Sequence, residues 1–166
     1  MKNIYYQDLH GLGVSLHYYL PQQYVCSYCE CKMLYSVTGH EIYKHLGLNQ
    51  DDHLYGVYAG WQQIEQTKAP IKIGRTVNPV AIQRGRSQGG ADWFFGCYYV
   101  LPTNKTTRDV ERELKLKLSK FNKAGTQRQT ELYTFGMPRA ISQIEATLKE
   151  MQMPVRNIVL ELYQKN

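Results

Sequence analysis

The segments LYGVYAGW, residues 54–61, and IKIGRT, residues 71–76, determine the fold that the sequence predicts. In the first segment, Val57 belongs to one alternating set of side chains and Tyr58 to the other, as in a strand whose successive side chains point to opposite faces. In the second segment, two isoleucines alternate with a lysine and a glycine. Two such strands in succession favour a β-hairpin.

The chain beyond the hairpin predicts helices and one more long strand. Asn78 and Pro79 are typical of a helix start, because asparagine accepts hydrogen bonds from unpaired amides and proline lacks only an amide that the first turn does not use. The predicted elements are a helix to about Ser87, a strand from Trp93 to Leu101, a helix that begins after Thr106-Thr107 with Asp109 in a capping interaction, a helix from Pro138 to about Met151, and a last strand or tail from Ile158 to Tyr163. The order β-β-α-β-α-α predicts an α/β (α+β) protein with a three-stranded mixed or antiparallel sheet flanked by helices.

A change of composition near residue 50 predicts the domain organisation. The first fifty residues hold three of the four cysteines and four of the five histidines, and the polar segment Asn49-Gln50-Asp51-Asp52 follows them. We predict a Cys/His-rich N-terminal appendage over residues 1–50, a main domain over residues 54–151, and a C-terminal tail or strand over residues 152–166.

The overall composition is that of a soluble globular protein, with 43% hydrophobic and 20% charged residues. No apolar run is long enough to cross a membrane, and the N-terminus lacks the pattern of a signal peptide. The sequence therefore predicts no membrane partner and a cytoplasmic location, the host cytoplasm if the protein is phage-encoded.

Positive charge is concentrated in the middle of the chain. Residues 68–128 contain 13 Lys/Arg and 4 Asp/Glu, a net charge of +9. Such an excess favours a polyanionic partner, since neutralised phosphates release counterions. The alternative is an ordinary solvated surface.

Several motifs together resemble a known family. Gly56-Val57-Tyr58 on the first strand and Lys72-Ile73-Gly74-Arg75-Thr76 on the second are similar to the paired signature of the GIY-YIG nuclease superfamily. The closer resemblance is to the phage-type branch whose second motif reads Lys-Ile-Gly-x-Thr. Three further pieces follow in the expected order: Arg84 or Arg86 on the next helix, Glu111-x-x-Leu114-Lys115-x-x-Leu118, and Glu131-Leu132-Tyr133. The resemblance spans about residues 54–151.

Three features depart from the family pattern. The interval between the two motifs is 13 residues, Lys115 stands where the branch often has histidine, and Lys72 replaces the second tyrosine of the superfamily. These departures leave the details of proton transfer open.

The resemblance implies a metal-dependent endonuclease that hydrolyses phosphodiester bonds of nucleic acid, with DNA favoured over RNA. Glu111 would hold Mg²⁺ or Mn²⁺, Arg84 would bind the scissile phosphate, Tyr58 would orient or deprotonate the attacking water, and Lys72 would supply charge beside it. Arg75, Arg86, Arg112 and Lys115 are candidates for nucleic-acid contacts, and Glu131 is interpreted as a structural or supporting residue. The choice between Arg84 and Arg86 and the oligomeric state stay open.

The position of Glu111 supports a site more than the other positions do. It lies between Val110 and Leu114 at the border of the apolar stripe of its helix, where a sequence selected only for stability more often has an aliphatic group or a lysine. The alternative function is a catalytically weak or inactive module that binds nucleic acid or protein, such as a phage regulator or inhibitor acting through its tyrosine-rich N-terminal region.

The appendage contains the ligand types of a zinc site. Cys26, Cys29, His40 and His45 have the spacing Cys-x2-Cys-x10-His-x4-His, close to that of a shortened classical zinc finger, and Cys31 is an alternative to Cys29. The competing interpretation is a set of reduced thiols with surface histidines.

Overall fold

The computed structural model describes residues 6–7, 14–15, 37–62, 71–81, 93–122, 132–133 and 135–164. The elements in chain order are β1 (Tyr6–Gln7), β2 (Val14–Ser15), α1 (Gly39–Leu46), β3 (Gly56–Gln62), β4 (Ile71–Thr76), β5 (Trp93–Val100), α2 (Asn104–Leu118), a short 3₁₀ turn (Ser119–Phe121), β6 (Leu132–Tyr133), α3 (Met137–Glu150) and α4 (Ile158–Gln164). The protein is therefore of the α+β class.

Three long antiparallel strands form the main sheet, as the sequence predicted, in the order β5-β3-β4. The register places Tyr58 of β3 opposite Gly74 of β4 on one side and opposite Tyr98 of β5 on the other. The short strand β6 adds a fourth member at the outer edge of β4, where its described residues pair with Ile71 and Lys72. Strands β1 and β2 form a separate two-stranded sheet.

The first face of the sheet packs against α2 and α3. Val57, Ile73 and Tyr99 of the sheet share a buried cluster with Leu114 of α2 and Ile144 of α3. Val57 and Ala59 of β3 and Ile71 and Ile73 of β4 all lie on this face, so the predicted alternation of side chains in the two strands is confirmed.

The second face of the sheet packs against α1 and α4. Tyr58 and Phe95 of the sheet share a second buried cluster with Ile42 of α1 and Val159 of α4. Val37, just before α1, also pairs with Phe95 through reciprocal backbone hydrogen bonds of 3.0 and 2.8 Å. Elements from the predicted appendage and from the predicted C-terminal segment thus complete the core of the main sheet.

The two motif glycines have a packing role that the sequence did not indicate. A Cβ atom at Gly56 would lie 2.6 Å from ring carbons of Tyr98 and 2.7 Å from the carbonyl oxygen of Tyr99. A Cβ atom at Gly74 would lie 3.1 Å from the hydroxyl oxygen of Tyr58. Each glycine therefore leaves room for a tyrosine ring from the neighbouring strand.

Helix α2 begins earlier than predicted. Its N-cap is Thr103, whose hydroxyl accepts a hydrogen bond from the Thr106 amide while the Thr106 hydroxyl accepts one from the Thr103 amide. This reciprocal pair satisfies two amides that have no partner within the helix, so the helix starts at Asn104 and not after Thr107. Asp109 instead accepts a hydrogen bond from Arg112.

The C-terminal segment is helical, and the prediction of a strand or tail was wrong. Ile158 and Val159 suggested a strand, but both are buried against the second face, with Leu162 one turn later packed on the same cluster. The side chain of Asn157 accepts a hydrogen bond from the Val159 amide, which stabilises the first turn. Tertiary burial thus outweighs the β preference of the isoleucine and valine.

Candidate active site and nucleic-acid interface

Glu111 lies on the edge of α2 that borders the first face of the sheet, as its position beside the apolar stripe predicted. Its side chain is 16% exposed and accepts a hydrogen bond of 3.0 Å from Nε of Arg75. Nζ of Lys115, one turn later on the same helix, lies 3.5 Å from the other carboxylate oxygen. The carboxylate therefore lies between two cations.

Arg75 is placed beside Glu111 by the alternation of β4. Because Ile71 and Ile73 point to the first face, Arg75 points to the same face at the end of the strand. Its Nη1 atom also donates a hydrogen bond of 3.3 Å to the side chain of Asn104, at the start of α2. The sequence did not indicate Asn104 as a site residue. The one signal for it was its position just before the predicted amphipathic helix.

A cavity of about 420 Å³ opens beside Glu111. Its lining residues are Glu111, Arg112, Lys115, Leu116, Ser119 and Asn122. Two of the three charged side chains in this wall are cations, and Leu116 is 69% exposed. The cavity wall thus places positive charge next to the Glu111 carboxylate.

Tyr58 and Lys72 meet on the second face of the sheet. The hydroxyl of Tyr58 and Cε of Lys72 lie 3.1 and 3.4 Å from the position that a Cβ atom of Gly74 would take. The Tyr58 ring is 1% exposed and packs edge-on against Phe95, with 5.2 Å between the ring centroids. The motif residues are thus brought together, but the tyrosine is buried.

The described residues that were predicted as catalytic or as nucleic-acid contacts lie on both faces of the sheet. Glu111 and Arg75 are on the first face, whereas Tyr58 and Lys72 are on the second. Strand β4 separates the two groups, and its described pairing with β6 ends at Lys72. Among the described residues, the two groups therefore do not share one face of the sheet.

The arginines predicted to follow the second motif, Arg84 and Arg86, lie outside the described residues, as does Glu131. The helix that would carry the arginines does begin at Pro79, where the Asn78 side chain accepts hydrogen bonds of 2.9 and 3.0 Å from the amides of Val80 and Ala81. The predicted start of this helix is confirmed.

The basic residues of α2 point in several directions, as helical geometry requires. Lys117 forms an ion pair with Glu150 of α3, and Arg112 forms one with Asp109. Lys115 and Arg112 line the cavity beside Glu111. Lys115 therefore faces the cavity, whereas Lys117 faces α3.

The two histidines predicted as zinc ligands do not lie together on α1. They are five positions apart, which corresponds to about 140° around a helix of 3.6 residues per turn. His40 is exposed, whereas the side chain of His45 is 6% exposed and its Nε2 atom lies 3.0 Å from the Glu161 carboxylate of α4. Cys26, Cys29 and Cys31 lie outside the described residues, so zinc binding by this region stays a prediction.

Glu161 links α1 to the C-terminal segment, and this predicts a pH dependence of stability. Hydrogen bonds from Arg156 and then from His45 lower the pKa of Glu161 from 4.5 to about 2. Since the folded-state pKa is lowered, the stabilisation is present above about pH 4.5 and is lost as the pH falls towards 2.

We expect Glu161→Gln to lower the free energy of unfolding by about 1–2 kcal/mol at neutral pH. The variant should also lose stability less steeply than the wild type between pH 4.5 and 2, the window set by the pKa of Glu161. Urea unfolding over a pH series measures both effects, with Glu113→Gln on α2 as the control. Equal pH profiles for the wild type and Glu161→Gln would contradict the role of this carboxylate.

Comparison of the chain with protein-family models, with curated proteins and with solved structures finds no match in any of the three. Across the described helices, none is long and apolar enough to cross a membrane. The described ranges also contain no group of three or more His, Cys, Asp or Glu side chains that could hold a metal ion. The function therefore has to be argued from the site itself.

Proposed function

We propose that this protein is an endonuclease of the GIY-YIG type that binds nucleic acid, DNA in preference to RNA, and hydrolyses its phosphodiester bonds. The observation that carries the proposal is the position of Glu111, a largely buried carboxylate at the wall of a cavity whose other charged residues are Arg112 and Lys115. A carboxylate among cations fits a site that must bind both a metal ion and phosphate oxygens.

The donor set at Glu111 is small but suits Mg²⁺ or Mn²⁺. Such ions usually take one or two carboxylates and complete their coordination with water and substrate phosphates. Among the described residues, Glu111 belongs to no group of three or more His, Cys, Asp or Glu side chains, so phosphate and water oxygens would supply most of the remaining ligands. When bound, the metal ion would stabilise charge on the phosphoryl group and lower the pKa of a water molecule.

The residues of the chain would divide the remaining tasks. Lys115 and Arg112 would bind phosphates along the cavity, and Arg75 would contribute a planar guanidinium that matches two phosphate oxygens. Tyr58 and Lys72 would act from the second face at the edge of β4, where the tyrosine hydroxyl would have to be uncovered to reach a water molecule. Arg84 or Arg86 would bind the scissile phosphate.

The second candidate is a GIY-YIG-like module that binds nucleic acid or protein without cleaving. Two observations favour it: the Tyr58 ring is 1% exposed, and Glu111 is already paired with Arg75 and Lys115. In this case the motif residues would serve packing, as Gly56 and Gly74 do.

A cleavage assay separates the two candidates. The purified full chain would be incubated with plasmid, linear and single-stranded DNA and with RNA, in Mg²⁺, in Mn²⁺ and in EDTA. Metal-dependent cleavage is expected for at least one DNA substrate. Binding without cleavage of any substrate would favour the second candidate.

Nucleic-acid affinity should depend steeply on salt concentration, and the structure indicates which lysines and arginines contribute. For duplex DNA, the slope of log affinity on log salt changes by about 0.9 for each phosphate contact removed. We expect the double variant Arg112→Gln/Lys115→Gln to lose up to two phosphate contacts, which would make the slope shallower by up to about 1.8. The control Lys117→Gln should leave it unchanged, because Lys117 pairs with Glu150. Fluorescence anisotropy at several salt concentrations provides the slopes. A shallower slope for Lys117→Gln with an unchanged slope for the double variant would place the interface on the other side of α2.

A further inference from the structure

The two carboxylate oxygens of Glu111 each face a different cation. Nε of Arg75 donates to one oxygen at 3.0 Å, and Nζ of Lys115 lies 3.5 Å from the other. The three side chains are only partly exposed, at 16% for Glu111, 31% for Arg75 and 36% for Lys115. In this arrangement the charge of the carboxylate is more than neutralised.

This neutralisation opposes metal binding at the same carboxylate. A divalent cation on Glu111 would lie within a few ångströms of two positive groups in a partly desolvated place, where like charges repel strongly. It would also have to replace the Arg75 hydrogen bond, which is directional and charge-assisted. Glu111 as the structure shows it is therefore a poor ligand for a metal ion alone.

The phosphates of a nucleic acid would change this balance. The two described hydrogen bonds of Arg75 engage two of its five N–H groups, to Glu111 and Asn104. A phosphate bound beside Glu111 would compete with this carboxylate for Lys115, which lines the cavity, and for Arg75, which contacts the carboxylate from β4. A phosphate accepts the same paired hydrogen bonds as a carboxylate. The carboxylate released in this way would become available to a metal ion, whose other ligands the same phosphate could supply.

We propose that the Arg75–Glu111 ion pair is a latch that couples the two ligands: nucleic acid releases Glu111, and only then does the metal ion bind with useful affinity. This inference rests on the proposed function, because it requires both a metal and a phosphate ligand at this site. Binding of each ligand raises the affinity for the other by the same factor, as thermodynamic linkage requires. Arg75 acts here as a positioning residue that controls the state of Glu111.

The test measures Mn²⁺ binding by electron paramagnetic resonance of the free ion, which is independent of cleavage. The probe is a short phosphorothioate DNA duplex, which resists hydrolysis. Mn²⁺ affinity is compared with and without the duplex for wild type, Arg75→Gln, Arg75→Lys, the control Lys117→Gln and the blank Glu111→Gln. The blank accounts for Mn²⁺ held by the duplex itself.

We expect the duplex to raise the Mn²⁺ affinity of the wild type by about tenfold, within the usual range of coupling between sites. Arg75→Gln should bind Mn²⁺ about tenfold more tightly than the wild type without the duplex, since the competing charge is gone. Lys117→Gln, which removes one positive charge elsewhere on α2, should match the wild type. Arg75→Lys keeps the charge and should keep most of the coupling.

Two outcomes would overturn the latch: wild-type Mn²⁺ affinity that the duplex does not change, or Arg75→Gln affinity equal to that of the wild type. The first comparison uses the wild type with the duplex alone as its blank, so it decides the question even if a variant is poorly folded. Failure of the proposed function gives a different result. In that case Glu111→Gln would bind Mn²⁺ as well as the wild type under every condition, with and without the duplex.

Discussion

Glu111→Gln should reduce metal-dependent cleavage by about three orders of magnitude or more. The substitution keeps the size of the side chain and an oxygen that can accept from Arg75, but it removes the charge that would hold a divalent cation. Metal-ion stabilisation of a phosphoryl transition state amounts to several kcal/mol, and each ~1.4 kcal/mol is a factor of ten in rate. Initial rates at saturating Mg²⁺ and Mn²⁺ measure the effect.

Binding and stability measurements separate this role from a structural one. Nucleic-acid affinity of Glu111→Gln in EDTA should be equal to or higher than that of the wild type, because a negative charge has left a surface that binds phosphates. The free energy of unfolding should fall by only about 1 kcal/mol, as expected for an ion pair that is partly exposed. Glu113→Gln, on the same helix, should cleave at the wild-type rate. Wild-type cleavage by Glu111→Gln would remove this residue from the site.

Gly56→Ala should destabilise the protein by about 3 kcal/mol or more, although it adds one methyl group. The new Cβ would lie 2.6 Å from the Tyr98 ring and 2.7 Å from the Tyr99 carbonyl oxygen. The ring has little room to move, since its hydroxyl donates a hydrogen bond of 2.5 Å to the Leu54 carbonyl within the second cluster. The backbone oxygen belongs to the central pairing of β3 with β5, so relief would require a shift of the sheet. Urea unfolding of the purified variant measures the loss.

Gly47→Ala is the matched control for this substitution. Gly47 ends α1 with φ of +65°, and a Cβ atom there would have nothing within 4 Å. Its cost should be about 1–2 kcal/mol, since it comes only from the left-handed backbone conformation. If Gly56→Ala were no more destabilising than Gly47→Ala, this result would contradict the close contact between Gly56 and the Tyr98 ring.

The alternation of residues 54–61 and 71–76 was sufficient to predict the hairpin and the faces of its side chains. Val57 and Ile73 lie in the first cluster and Tyr58 in the second, as the pattern indicated. This succeeds because side-chain direction in a strand depends only on the position of each residue relative to its neighbours. The position of Glu111 at the border of the core was predictable in a similar way, because helical spacing fixes its direction relative to Val110 and Leu114.

The sequence pattern predicted the start of α2 and the structure of residues 158–163 less well. The sequence placed the start of α2 after Thr107, because it could not tell which of several threonines forms the reciprocal cap. It also suggested a strand or tail at residues 158–163, where burial against β5 decides in favour of a helix. Local preferences at such positions differ by little, so tertiary contacts outweigh them.

Only the tertiary structure decided which charged groups meet. Arg75 and Glu111 are 36 residues apart, and His45 and Glu161 are 116 apart, yet each pair is in contact. The sequence treated Arg75 as a phosphate contact and His45 as a zinc ligand, which are roles suited to each residue type alone. Periodicity specifies the face on which a side chain lies, but a pairing across elements depends on how the helices cross the sheet, and that is determined by the packing of the whole core.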